Sequence, residues 1–164
     1  MTARLFTASW TSLWRASQRS EIPVQPVRTS RGVPKFWPAA ERFPAVDELM
    51  PDGWMLGCDD AGKVERSYRG KLDRIGLERI AARLDAIAAE CDGLPLALCC
   101  FEADRADCHR SWAAAWLREQ TGLAVPEIGS MRSQRASALV HEIERDLATG
   151  QNAHTGHLTG KEPR

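Results

Sequence analysis

Residues 94–101, Leu-Pro-Leu-Ala-Leu-Cys-Cys-Phe, decide the fold. The run opens after Gly93 and carries no polar residue, so it has no side to show to water. A stretch of this length and character is expected as a central strand of a parallel sheet, covered on both faces. Helical spacing stands before it. Val64, Tyr68 and Leu72 recur every four residues, and Ile80, Leu84, Ile87 and Cys91 follow the three-four rule, which predicts helices over 63–75 and 77–91 divided at Gly76. After it, Asp104 or Asp107 is the expected N-cap of a helix that runs to about Gln120 and ends at Thr121 and Gly122.

Further out, Arg4 to Ser9 reads as a short buried strand and Thr11 to Arg19 as a helix, placing a strand-to-helix turn at Ser9 and Trp10. Ile22 to Arg28 alternates like a strand, but Pro23 and Pro26 cannot donate to a ladder, so it is expected at a sheet edge. Between residues 29 and 62 stand Pro34, Pro38, Pro44 and Pro51 with Gly32, Gly53, Gly57 and Gly62. These forbid a long helix and predict a long ordered loop with one short helix, packed down by Phe36, Trp37, Phe43, Trp54, Met55 and Leu56. Leu123 to Ile128 is a candidate last strand, Ser133 to Leu147 a last helix, and 149–164 a disordered tail. The expectation is one α/β domain over 1–148: three layers, a short and mainly parallel sheet, helices on both faces.

Composition sets the outer bounds. Of 164 residues, 22 are basic and 22 acidic, so nucleic acid could be attracted only by a local patch. The 43% hydrophobic content supplies a core. Apolar stretches fall far short of the roughly 20 residues a bilayer span requires, and residues 1–5 lack a signal-peptide layout, so a cytoplasmic protein with no membrane association is expected. Five cysteines, odd in number and without a Cys-x-x-Cys pair, argue against a disulfide framework and the common structural zinc sites.

Right-handed crossovers would bring three segments to the carboxyl edge of the sheet: Ser9 with Trp10, residues 28–35, and residues 100–110. In the last, Cys108 near a helix start and beside Arg110 is the candidate nucleophile. His109 is a candidate acid or base, and Glu102 could orient it or take a proton directly. The competing reading makes Cys99, Cys100 and Cys108 small core residues, with His109 and Arg110 pairing locally. A metal set of Cys100, Cys108 and His109, completed by Cys58 or one of Asp59 and Asp60, matches no common zinc spacing, so no metal or cofactor is expected. Residues 1–44 hold seven basic and two acidic side chains. With the aromatics of 28–37 interleaved, Arg28, Arg31 and Lys35 become candidates to hold phosphate beside a stacked base, with Ser9, Trp10 and Arg110 as further substrate contacts. A solvated loop stapled by its aromatics is the alternative. Trp112 and Trp116 are expected in the core, and Tyr68 on an apolar helix face with its hydroxyl at the rim.

The segments VRTSRGVPKFWP (27–38), FPAVDELMP (43–51), SYRGKLDRIG (67–76), PLALCCFEADRADCHR (95–110) and QTGLAVPE (120–127) together resemble the domain of unknown function 488 family. The most specific element is an apolar strand ending Cys-x-Glu and then Cys-His-Arg, here Cys100, Glu102, Cys108, His109 and Arg110. Thr7-Ala8-Ser9-Trp10 stands where many relatives carry Thr-Ile-Gly-His. The resemblance implies a small α/β domain of bacteria and phages without an established reaction. The expected function is a small enzyme binding a nucleotide or nucleic-acid base. A non-catalytic nucleic-acid- or protein-binding module, and a thiol redox or metal protein, are the alternatives.

Overall fold

A computed structural model describes residues 1–18, 24–102 and 108–128. Four strands, β1 (Leu5–Ser9), β2 (Gln25–Arg28), β3 (Leu96–Cys100) and β4 (Glu127–Ile128), form one sheet in the order β2-β3-β1-β4, with every pairing parallel. Among the described residues four helices join them: α1 (Trp10–Ser17), α2 (Ala61–Ile75), α3 (Leu77–Glu90) and α4 (His109–Thr121). The chain is therefore a small α/β fold, as the run at 94–101 predicts. Its strand β3 is interior, paired Leu5↔Leu96 through Ser9↔Cys100 on one side and Gln25↔Leu96 through Arg28↔Cys99 on the other. The proline-bearing β2 is an edge.

The two-residue period of a strand sorts the core into two layers. Leu96 and Leu98, with Leu5 and Val27, pack under α2, α3 and α4 through Val64, Tyr68, Leu72, Leu84 and Leu117. Ala97 and Cys99, with Ala8, face Trp10 and Leu13 of α1. Among the described residues, α1 thus covers one face and the three longer helices the other. Ser9 caps α1, its hydroxyl accepting from the Ser12 amide at 3.1 Å. Gly76, at φ 84°, is a residue whose backbone a side chain would strain, and it lets α3 start immediately after α2.

Three expectations need correction. Residues 29–62 hold three short 3-10 turns, Pro38–Arg42, Asp47–Leu49 and Gly53–Gly57, instead of one short helix. Pro44 and Pro51 follow the first two and stop each within about one turn. Helix α4 begins at His109 with Cys108 as its N-cap, not an aspartate, and the cap makes no side-chain hydrogen bond to the helix. Tyr68 is fully buried and its hydroxyl donates to the Leu49 carbonyl at 2.7 Å, because the turn at 47–49 lies over that end of α2. Trp112 and Trp116 are core, with the Trp116 indole donating to Asp73 at 2.6 Å. No helix among the described residues is long and apolar enough to cross a membrane. The helix expected at 133–147 and the tail at 149–164 lie outside the described residues, as do Asp104 and Asp107.

Candidate functional site

Strands β1 and β3 are neighbours, yet the helices that follow them leave to opposite faces of the sheet. It is at such a divergence, at the carboxyl ends of the two strands, that α/β folds place ligands. Ser9 and Cys100 are register partners at that edge. Because side chains alternate along β3, Cys100 shares the α4 side with Leu98, whereas Cys99 belongs to the α1 layer. Glu102, two residues beyond Cys100, returns to the same side. The start of α4 then delivers Cys108 and His109 to them.

Four ligating atoms meet there. Cys100 Sγ lies 3.4 Å from His109 Nδ1, and Cys108 Sγ donates to Glu102 Oε2 at 3.3 Å when protonated. The Cys100 thiol donates to the same carboxylate oxygen. All four groups lie within 4.8 Å of one another. Cys100, Cys108 and His109 are buried and Glu102 is exposed, so the cluster reaches solvent on the carboxylate side.

The surroundings fix the imidazole. His109 Nε2 sits 2.9 Å from the Thr29 carbonyl, which can only accept, so Nε2 carries a proton and Nδ1 is the ring nitrogen that faces the thiols. Thr29 is itself held on β3, its amide and hydroxyl both donating to the Cys99 carbonyl at 3.3 and 2.9 Å. The Tyr68 ring meets His109 edge-on at 5.8 Å. Behind Cys108 stands Arg110, 1% exposed, whose Nη1 donates to the Cys108 sulfur at 3.1 Å and to the Glu102 carbonyl. Its Nε and Nη2 grip Glu127 of β4 at 3.2 and 3.1 Å, and Thr7 donates to that carboxylate as well.

These contacts separate the two thiols. Cys108 is drawn down to about 6 by the hydrogen bond from Cys100, against burial, with further help from His109 and the Arg110 amide. Cys100 is pushed up by that same hydrogen bond and by burial. Burial, with a smaller contribution from the Glu127 charge, pushes Cys99 up. Burial also opposes ionisation of Glu102, but hydrogen bonds from Cys100, its own backbone and Cys108 hold it below the usual carboxylate range. Of the two thiols, these contacts favour Cys108 as the one that ionises first.

The structure brings together Glu102, Cys108 and His109 and adds Cys100 to them. Cys58, Asp59 and Asp60 stand outside this group. Other candidates are spent elsewhere. Trp10 is fully buried, stacked on Phe43 at 6.3 Å with its indole donating to Ser30 Oγ at 3.1 Å, so it is core and not a ligand contact. Ser9 is used as a helix cap, and Arg110 is occupied by Glu127. Arg28 Nε donates to the Phe43 carbonyl at 3.1 Å, and Arg31 Nε to the Pro51 carbonyl at 2.7 Å, which ties the 28–35 segment to the loop behind it. Arg31 and Lys35 nonetheless remain exposed, with Phe36 half-exposed against Trp14.

Cys100, Thr29, Tyr68 and Glu127 are the participants that sequence reasoning leaves in structural roles or passes over. For Cys100 a signal exists, since positions 100 and 102 share one side of an extended chain. For Glu127 none does, because its partner comes from a different element. No protein-family model, curated protein or solved structure matches this chain.

Proposed function

We propose that this chain is a small enzyme of the domain of unknown function 488 kind, whose reacting group is the Cys108 thiolate. The observation that carries the reading is the convergence of Cys100, Glu102, Cys108 and His109 at the divergence point of a parallel sheet. In this reading Cys108 Sγ is the nucleophile, and His109 is the acid or base that stands beside it. Arg110 holds the thiolate in place and steadies its charge. The ligand is a nucleotide or nucleic-acid base, its phosphate met by Arg31 and Lys35 and its ring by Phe36, and the work is done in the cytoplasm, where thiols stay reduced.

The test is a brief alkylation pulse on the native protein, with peptides read by mass spectrometry. Cys108 is expected to label well ahead of Cys99, and equal labelling refutes the reading. A nucleotide or a short single-stranded oligonucleotide should bind at low salt and weaken on Arg31→Ala or Lys35→Ala. A second reading, a non-catalytic nucleic-acid-binding module, is favoured by the exposed Phe36 beside Lys35. It predicts that binding persists while no residue of the Cys108 cluster affects any turnover.

A further inference from the structure

We propose that Cys100, Glu102, Cys108 and His109 form a binding site for a zinc-class divalent ion, and that the bound ion masks Cys108. Four donors of this kind, two sulfur, one imidazole nitrogen and one carboxylate oxygen, are a complete tetrahedral set. Bond lengths of about 2.0–2.3 Å put neighbouring ligand atoms of such a site about 3.3–3.8 Å apart. Two contacts already lie there, Cys100 Sγ to His109 Nδ1 at 3.4 Å and Cys108 Sγ to Glu102 Oε2 at 3.3 Å. The Cys100 to Glu102 contact is a hydrogen bond and must open as the thiol proton is given up. The remaining separations, none above 4.8 Å, need to close by no more than about 1.5 Å.

The second layer fits as well as the first. A metal-bound imidazole characteristically donates its other nitrogen to a carbonyl or carboxylate, and His109 Nε2 does so to Thr29. That bond leaves Nδ1 as the free donor atom and aims it at the two sulfurs. Arg110 donates to Cys108 Sγ, as second-layer groups do to thiolate ligands, and is itself anchored on Glu127. Two sulfur ligands select zinc, or cobalt in its place, over magnesium and calcium, which take oxygen. Binding is proton-balanced: Cys100 passes from thiol to thiolate and releases its proton to water, while Cys108 joins as thiolate. No electron moves.

The three buried donors come from two elements that meet only in the fold, the end of β3 and the start of α4. Glu102 differs because it is the exposed member. It is the ligand through which the ion enters, and the position a small anion could exchange into. The masking half of the proposal rests on the reading of Cys108 as the reacting group. The binding half does not.

The full chain, stripped with a chelator, is titrated with cobalt(II) and followed by absorption. The expected result is one equivalent bound with a thiolate-to-cobalt charge-transfer band and the intense visible bands of a tetrahedral ion, all displaced by zinc and untouched by magnesium. Cys100→Ser and Cys108→Ser each remove the charge-transfer intensity of one sulfur. Each weakens zinc by more than the roughly 10–100-fold that second-layer changes cost. Glu102→Gln alters an exposed side chain, keeps the fold by circular dichroism, and weakens the ion while both sulfur bands remain. Absence of tetrahedral cobalt bands overturns the site, as does a spectrum unchanged by both serine variants. Zinc at saturation should slow alkylation of Cys108 at least tenfold, and an unchanged rate overturns the masking. If Cys108 of the stripped protein labels no faster than Cys99, the enzyme reading falls while the cobalt spectrum still decides the site.

Discussion

Glu127→Gln isolates the part of this architecture with the least tolerance for change. Arg110 is 1% exposed, and its guanidinium is held by the two oxygens of Glu127, which is itself 5% exposed. Glutamine has the same shape and can still accept one hydrogen bond from Arg110, while its amide turns to Thr7, whose hydroxyl can rotate to accept. What disappears is the negative charge. Removing one partner of a buried pair costs about 3–5 kcal/mol when the survivor is left charged without compensation. With one acceptor kept at position 127 and the Cys108 sulfur still 3.1 Å from Arg110, the lower end applies, about 3 kcal/mol. For a chain of this size that loss corresponds to roughly 10 °C in Tm. Urea unfolding followed by tryptophan fluorescence should show a lower midpoint with unchanged slope. Arg110→Met in the Glu127→Gln background should restore most of the loss, giving a coupling energy well above the 0–1 kcal/mol of exposed pairs. A loss below about 1 kcal/mol, or a double variant no better than the single, would refute the claim that Arg110 is desolvated and dependent on Glu127.

In chelator-treated protein the alkylation rate of Cys108 should rise through pH about 6, and Cys100→Ala, which removes the main hydrogen bond to it, should move that midpoint upward; a midpoint in the range of a free thiol would contradict the geometry. Tyr68→Phe should cost about 1–2 kcal/mol by leaving the Leu49 carbonyl without its donor. Since the ring against His109 is kept, Cys108 reactivity should not change, and chemical denaturation with parallel labelling checks both. Asp85 accepts the amides of Thr2 and Ala3, each at 2.8 Å, and these bonds outweigh burial to hold its carboxyl below the usual range. A depressed folded value means stability gained above the unfolded value and lost as pH falls through the folded one. Asp85→Asn should therefore lower the unfolding free energy at pH 6 by no more than about 1 kcal/mol, with the gap closing below about pH 4. A gap that widens in acid would reverse the assigned sign.

Much of this was legible because the signals were local. An apolar run without a polar face could only be an interior strand, and Gly76 punctuated two helices whose periodicity was already visible. What the residues could not disclose was depth. Tyr68 has an apolar helix face in any fold, but only the turn at 47–49 decides that its hydroxyl finds a carbonyl instead of water. Trp10 follows a strand end, where ligands gather, yet the capped start of α1 turns it into the layer behind the sheet. Arg110 reads as a free cation beside Cys108 until β4 brings Glu127 to it. The site followed the same division. Glu102, Cys108 and His109 were found by chemistry and proximity in the chain, while Cys100, weighed there as a metal ligand or a core residue, is tied to Glu102 by taking the alternation of β3 one residue past its hydrophobic message.

The pairing of Leu5 with Leu96 also sets a timetable for the nascent chain. Strand β1 is made first, but both of its neighbours, β3 and β4, come from far downstream. At about 5–20 residues per second, roughly 90 residues of synthesis separate β1 from its first partner, an interval of about 5–20 s. For that time Leu5 and Phe6 have no strand to lie against. The entropy of closing so long a loop must then be overcome before the first parallel bond forms, which makes this a slow-folding topology for its size. Strand β2 follows β1 by only about 20 residues but is not its neighbour in the sheet, so it cannot shorten the wait. Holding the amino-terminal strand apart from other chains until residue 96 has left the ribosome is therefore a requirement of the sheet order itself.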